Sequence, residues 1–293
     1  MLYQSIKDKI THLFTEYQKV SEGKKQILHE IALAEIPEMV YNSNAIENST
    51  LTLEDTEEIL LYHQMKKNHD IREIYEAKNL ATITEQLLKN PYQNLSVELI
   101  LSLHNVLLTN IDDSWAGRFR SGDERVRIGS HIGANPDFTN SLMYELVEKY
   151  QTSDEYFLDA IAHFHTEFEI IHPFNDGNGR MGRVLINQQL MKIGYPPIII
   201  QNKSKKSEYY PLFDIYRMKN KYDGFSQLFA LLLMEALHKR IIILTAKNII
   251  SLNEWAKMNR KKVNSVLNKA KRQTIPAFRL REKWMIDAEF YEE

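Results

Sequence analysis

Apolar residues along most of the chain recur at intervals of three and four, glycine is scarce inside the segments so patterned, and strict alternation is confined to short stretches. That pattern predicts a mainly α protein. Helices are expected over about Tyr3 to Val20, Lys24 to Ala45, Asp55 to Lys67, Ile71 to Leu88, Ser96 to Thr109, Asn140 to Tyr150, Asp154 to Ile171, Gly179 to Lys192, Lys206 to Lys219 and Asp223 to Leu244. Thr52 with Asp55 three residues on, and Ser96, supply N-cap chemistry, which makes Ser49 to Leu51 a turn. Between Gly117 and Phe138 the period changes. Val126 and Ile128 alternate with Arg125 and Arg127, and Gly129-Ser130 reads as a two-residue hairpin turn. Beyond residue 248 the order is a short helix (Leu252 to Met258), a second (Lys261 to Lys271) and a small hairpin built from Ile275 to Leu280 and Lys283 to Ile286.

Composition removes several classes of protein. With 43% hydrophobic and 26% charged residues among 293, the chain is ordinary globular material, large enough for one or two domains. Zero cysteines exclude disulfides, thiolate nucleophiles and cysteine-based metal sites. No run reaches 18 consecutive apolar residues, so no membrane is expected as a partner. The first residues turn polar at once, with neither an apolar leader core nor a small-residue cleavage site, and the expected location is cytoplasmic. The net charge of −2 hides an asymmetry, because residues 251 to 286 carry ten Lys/Arg against two acids. This shift sets the expected domains at 1–247 and 248–293 and suggests that the two parts meet different partners.

The candidate chemistry lies in His172-Pro-Phe-Asn-Asp-Gly-Asn-Gly-Arg-Met-Gly-Arg183, between two strongly helical segments. Pro173 offers no N–H and disfavours helical geometry at His172, so the first helix stops there with the imidazole expected to face outward. Gly177-Asn178-Gly179 can adopt positive φ, which gathers backbone N–H groups into one concavity at the start of the next helix, a cradle for an anion. Arg180 and Arg183, three apart, share a face beside it. Asp176, an acid at a phosphate site, is read as a ligand for Mg²⁺. A base, an anion hole, a metal ligand and two arginines describe phosphoryl or nucleotidyl transfer. The plainer alternatives are a glycine helix cap with a structural histidine, and a zinc site on His165, Glu169 and His172; the second is disfavoured by Pro173 and by the lack of a His-Glu-x-x-His motif.

Residues His172 to Arg183 resemble, at every specified position, the signature His-Pro-Phe-x-(Asp/Glu)-Gly-Asn-Gly-Arg-x-x-Arg of the Fic family, and the likeness of the core runs from about Ser49 to Lys239. The resemblance implies a Fic-type helical core with a β-hairpin flap, acting as a protein adenylyltransferase that moves AMP from ATP to a Ser, Thr or Tyr hydroxyl of a target protein. By the same resemblance, His172 is the general base, Gly177, Asn178 and Gly179 hold the α- and β-phosphates, and Asp176 holds Mg²⁺. Arg180 and Arg183 bind the β- and γ-phosphates, and Phe174 anchors the loop. Arg125, Val126, Arg127 and Ile128 form the flap that pairs with the target, and Tyr209 and Tyr210 fall where family members carry aromatics near the nucleotide.

Upstream, Ser43-Asn-Ala-Ile-Glu47-Asn48 resembles the (Ser/Thr)-x-x-x-Glu-(Gly/Asn) inhibitory motif of self-restrained Fic proteins. It implies that Glu47 pairs with Arg183 where the γ-phosphate must lie, with Ser43 expected to fix the Glu47 carboxylate. Some members with this glutamate also remove AMP, and the sequence leaves the balance of the two directions open. Residues 248 to 288 resemble excisionase-like winged helix-turn-helix modules, with Trp255, Phe278 and Trp284 as core. Candidates for DNA phosphates are Arg260, Lys261, Lys262, Lys269, Lys271, Arg272, Arg279 and Arg281. The rival to an enzyme is thus a DNA-binding regulator whose Fic core senses nucleotide or is vestigial. Such modules also serve as dimerisation elements, so a homo-oligomer is compatible with the sequence.

Overall fold

A computed structural model describes residues 1–64, 68–128 and 131–292. The chain divides into two compact units: Met1–Ile31 with Tyr195–Ile198 and Gln227–Glu293, and Ala32–Gly194 with Ile199–Ser226. The boundary that composition places at residue 248 falls inside the first of these.

The larger unit is helical. Its elements are the end of α2 (Lys25–Ala34), then α3 (Ile36–Ile46), α4 (Leu53–Glu57), α5 (Ile71–Lys89), α6 (Val97–Leu108), the two-stranded β1 (Arg127–Ile128) and β2 (His131–Ile132), α7 (Pro136–Gln151), α8 (Phe157–Ile171), α9 (Asn178–Lys192), α10 (Tyr210–Lys219) and the start of α11 (Asp223–Thr245). The apolar faces of α5 to α9 meet in one core, around Leu80, Ile83, Leu103, Leu107, Met143, Phe168, Phe174, Met181 and Leu185. Helix α9 is buried along nearly its whole length. It runs through the middle of the unit, packed against α8, α5, α6 and α3, so whatever its N-terminus binds is held on a rigid support.

Local chemistry explains where the helices begin and end. Thr52 and Asp55 form a reciprocal capping box at α4, and the Ser96 hydroxyl accepts from Leu99 N at α6. The single helix expected over Lys24 to Ala45 is two, α2 and α3, because Pro37 belongs in a first turn and cannot continue a ladder. Likewise α7 starts earlier than expected, at Pro136, with the Asn135 side chain as cap. The helix expected from Asp55 widens into a π-helical turn over Glu58–Tyr62 and stops at His63 in the left-handed region. Its expected tail at Lys67 lies outside the described residues, as does the Gly129-Ser130 turn.

The smaller unit contains α1 (Gln4–Ser21) and the C-terminal segment β3 (Ile249–Ser251), α12 (Leu252–Met258), α13 (Val263–Lys271), β4 (Phe278–Leu280) and β5 (Lys283–Asp287). Strand β5 is central, antiparallel to both neighbours, in the order β3-β5-β4. Trp255 and Phe278 are buried as expected, while Trp284 is half-buried beneath the Arg279 guanidinium, 5.0 Å from its ring centre. Several basic residues are already paired within the unit. Arg279 Nε and NH2 grip Glu235 at 2.8 and 2.6 Å, and Lys261 and Lys269 both reach Glu292. Among the described residues, no helix is long and apolar enough to cross a membrane.

Candidate active site

The loop joining α8 to α9 is shaped from both sides by buried polar groups. His172 ends α8 in the left-handed region (φ 52°), with its N–H donating to Phe168 O at 2.9 Å. Two residues on, the fully buried Phe174 ring stacks on His104 of α6, centroids 3.6 Å apart and 9° from parallel. The Asn178 side chain closes the loop, accepting from Phe174 N at 2.9 Å and donating to Phe174 O at 2.8 Å. Only the backbone of Asn178 is therefore available to a phosphate, its side chain being committed to the loop itself.

Two bracing residues escaped the sequence reading. His104 Nδ1 accepts from Gly117 N at 3.2 Å, so its Nε2–H must donate to Asp176 O, 3.0 Å away. Both nitrogens are used in the neutral form, and burial, with a smaller push from Arg180, lowers its pKa to about 4 despite the opposing pull of Asp176. Arg120, 2% exposed, spends its guanidinium on backbone: Nε to His172 O (2.8 Å), NH1 to Glu124 O (2.8 Å), and NH2 to Ala134 O and Ile171 O (2.9 and 3.2 Å). It ties the end of α8 to the hairpin. Neither residue lies in a recognisable motif, and the only hint is a polar residue at an apolar position of its helix in the case of His104.

At the start of α9, Gly177 has φ 82°, and a Cβ there would come within 2.8 Å of Leu107 Cδ2. Glycine is required on both counts. No side chain caps this helix, so the N-terminal end offers its N–H groups and dipole to a cavity of about 390 Å³ lined by Glu47, Arg72, Glu76, His172, Asp176 and Gly177 to Arg180. Asp176 and Arg180 are joined there by two partners from α5, in a closed ring. Arg180 bonds Asp176 at 3.0 Å and approaches Glu76 at 3.1 Å, while Arg72 reaches Glu76 at 3.1 Å and also grips Asp176. Burial opposes the Asp176 charge, but Arg180 and Arg72 outweigh it and hold the carboxyl below its ordinary range.

Arg183, one turn further on, is buried and held through Nε and NH2 by the end of α3. Its NH2 donates to Glu47 Oε1 at 2.8 Å and to Ser43 O at 2.8 Å, and its Nε donates to Ser43 Oγ at 2.9 Å. Ser43 thus holds the arginine that binds Glu47, instead of the Glu47 carboxylate expected from the sequence. Glu47 lies so close to Gly179 that any Cβ there would collide with its carboxylate. The carboxylate stands between the first cavity and a second, of about 450 Å³, lined by His131, Glu169, His172, Arg183, Tyr209, Tyr210 and Phe213. Glu47, His172 and Gly179 line both. The end of α3 is itself pinned: Lys205 Nζ donates to Ala45 O and Ile46 O at 2.7 and 3.0 Å, and Tyr210 OH donates to Ile46 O at 2.8 Å. These two clamps were also not foreseen.

His172 does not face outward as expected. Its side chain is 17% exposed, opening only onto the two cavities, because α8 and the Arg120-bound hairpin enclose it. Burial, then Arg120, lower its pKa to about 4, leaving a neutral imidazole at physiological pH. The hairpin that carries Arg125 to Ile128 pairs Arg127 with Ile132 and Ile128 with His131, and His131 Nε2–H donates to Ile170 O at 3.0 Å, so the strand pair sits beside the imidazole. His165, weighed as a zinc ligand, instead shares a 2.8 Å hydrogen bond with the Tyr209 hydroxyl in a buried aromatic cluster.

Comparison with known proteins adds a family to this geometry. Residues 94–190 match the model of the Fic/DOC family. The chain is 32% identical over 180 residues to "Protein adenylyltransferase fic-1" of Caenorhabditis elegans, covering 58% of this chain and 34% of that protein. It is 32% identical over 185 residues to "Protein adenylyltransferase Fic" of Aedes aegypti, covering 60% and 36%. It therefore spans about a third of the length of the curated relatives it matches. Among solved structures, a Fic domain-containing signaling protein from Bacteroides thetaiotaomicron superposes with a TM-score of 0.71 at 22% identity, covering 80% of this chain and 96% of that one. Fic-1 of C. elegans gives 0.70 at 24%, covering 83% and 72%. A Fic family protein from Desulfovibrio desulfuricans gives 0.63 at 20% and covers 100% and 98%.

Proposed function

From the match of residues 94–190 to the Fic/DOC family model and the Fic-like fold, we propose that the chain transfers AMP from ATP to a hydroxyl side chain of a target protein and is held inactive by Glu47. The observation that carries both halves is the position of the Glu47 carboxylate, bound to Arg183 between two cavities that share His172 and Gly179.

A nucleotide spanning the two cavities lays its phosphates across the α9 N-terminus and its base toward Tyr209 and Tyr210. His172 Nε2 takes the proton of the target hydroxyl, that oxygen attacks the α-phosphate, and pyrophosphate leaves. A depressed pKa serves this step, because the imidazole is unprotonated and ready to accept. The strands carrying Arg125, Val126, Arg127 and Ile128 pair with an extended target segment and set the hydroxyl beside Nε2. Asp176 fits a divalent cation such as Mg²⁺: it is an anionic carboxylate on a polar cavity, with guanidinium groups from Arg72 and Arg180 now standing where a cation would bind. When bound, such a cation neutralises charge on the phosphates. With Glu47 on Arg183, the place of the γ-phosphate is taken, and Nε and NH2 of that arginine are already committed to Ser43 and Glu47.

The test is Glu47→Gly incubated with labelled ATP and Mg²⁺. Auto-AMPylation rises over that of the unaltered chain, and Glu47→Gly/His172→Ala shows none. Equal labelling of the two single-background proteins, or labelling that survives loss of His172, refutes the reading. The α12, α13 and β4-β5 succession supports a winged helix-turn-helix-like role for the C-terminal segment, and DNA binding by it is tested by salt-dependent retention on duplex DNA.

A further inference from the structure

One ionisable side chain in the site has no part in the scheme above. Glu169 lies one turn before His172 on α8, its side chain 12% exposed, with Oε2 3.9 Å from His172 Nδ1. Oε1 of Glu169 and Nδ1 of His172 are both buried without a well-formed hydrogen bond, the Glu169 main-chain carbonyl interacting only weakly with the imidazole. A buried carboxyl without full pairing is costly, and such a group beside a base in a cavity is a mark of function more often than of stability. The chain also makes room for it. Position 182, in the interior of α9, is glycine, at a cost of about 1 kcal/mol relative to alanine in a helix. A Cβ there would collide with Glu169 Oε1.

We propose, on the premise that His172 is the general base, that Glu169 is a positioning residue for it. Its carboxyl stands behind Nδ1, keeps the imidazole proton on that nitrogen so that Nε2 carries the free pair, and stabilises the imidazolium formed when Nε2 accepts a proton. In that step the hydroxyl O–H bond breaks, the Nε2–H bond forms, and the electron pair stays on the attacking oxygen; Glu169 makes and breaks no bond. The arrangement resembles the carboxylate that orients a catalytic histidine in hydrolase triads, reached here from the same helix.

The groups facing Glu169 make its charge a function of pH. Burial raises its pKa to about 8, Arg183 from α9 pulls it down, and Glu47 from the end of α3 pushes it up. Tyr209 and Tyr210 also face it, and His165 and His172 lie on its own helix. The carboxyl is therefore mostly neutral at pH 7 and supports an imidazolium best once it ionises. Removing Glu47 takes away one of the groups that raise it, so the change occurs somewhat lower in Glu47→Gly.

The test uses the full chain in the Glu47→Gly background. Glu169→Gln is expected to lower kcat at least about 10-fold, between the roughly 10- to 100-fold seen for partners of metal-bound histidines and the roughly 10⁴-fold of a triad carboxylate, with KM for ATP within about twofold. The rise of kcat with pH toward 8 is expected to vanish. A kcat within about threefold and an unchanged pH profile overturn the proposal. A readout independent of activity separates this from failure of the transferase reading: in histidine-labelled protein with Glu47 intact, the His172 ring signals shift near pH 8 and cease to do so in Glu169→Gln. Gly182→Ala, which drives a methyl into the carboxyl's place without altering either partner, abolishes the same shift. A shift that persists in both variants also overturns the proposal, whether or not Glu47→Gly transfers AMP.

Discussion

His104→Phe isolates the brace beneath the glycine turn. The substitution keeps an aromatic ring stacked on Phe174 but removes the donor to Asp176 O and the acceptor from Gly117 N. Each buried group left unpaired costs about 1–3 kcal/mol, so the larger unit is expected to lose roughly 2–5 kcal/mol at pH 7. The loss must depend on pH in a definite direction. His104 has a folded pKa of about 4 against an unfolded value of 6.5. Above pH 6.5 both states are neutral and the residue contributes no pH dependence. As pH falls from 6.5 to 4 the unfolded state gains a proton that the folded state does not, and stability drops by roughly 3 kcal/mol. His104→Phe lacks that drop, whereas His165 and His172 titrate alike in both proteins and cancel. The stability difference therefore shrinks by roughly 3 kcal/mol between pH 6.5 and 4. Urea unfolding read through hydrogen exchange of α6 and α9 amides measures it in the right unit. A difference that is absent at pH 7, or constant between pH 7 and 5, refutes the account of His104 as a neutral double brace.

Two further variants probe the clamps around the site. Arg120→Lys replaces a planar fork serving four carbonyls with a single ammonium group, and is expected to cost about 2–4 kcal/mol in urea unfolding and to abolish auto-transfer in the Glu47→Gly background. Lys205→Ala removes the cap on Ala45 O and Ile46 O; a net loss of about 1 kcal/mol from the proposed inhibitory contact is expected to raise auto-AMPylation about fivefold, well below the effect of Glu47→Gly.

What could be read from the sequence was whatever repeats locally. Helical spacing located α5, α6, α8 and α9 to within a few residues, and caps at Thr52 and Ser96 marked the starts of α4 and α6. The motif residues lie around two adjoining cavities that share Glu47, His172 and Gly179, with Glu47 on Arg183 across 136 positions of sequence. Outside the two motifs, long-range polar pairing was invisible. Arg72 and Glu76, Lys205, His104 and Arg120 each meet the site from a different element, and nothing near them in sequence signals it. Strand β3 was missed because three residues give too short a pattern to count, and it exists only by pairing with β5.

Arg72, Arg180 and Arg183 are each met by a carboxylate at rest, so on the proposed reading nucleotide binding is an exchange of partners and not a simple gain. Arg180 gives up Asp176 or Glu76, and Arg183 gives up Glu47. Breaking a buried pair by deleting one member typically costs about 3–5 kcal/mol, because the survivor stays charged and desolvated. Ser43 keeps two bonds to Arg183 in Glu47→Gly, and Glu47 is 42% exposed, so the penalty there falls well short of that range, at about 1–2 kcal/mol. Phosphate oxygens can restore what is lost. Glu47→Gly is therefore expected to be less stable than the unaltered chain without nucleotide and to gain more from saturating ATP and Mg²⁺. Both follow from one charge left waiting for a partner. Hydrogen exchange of α9 with and without nucleotide reads the two terms separately. Equal protection of both proteins without ATP, together with equal gains on adding it, would mean that Glu47 does not compete with phosphate for Arg183.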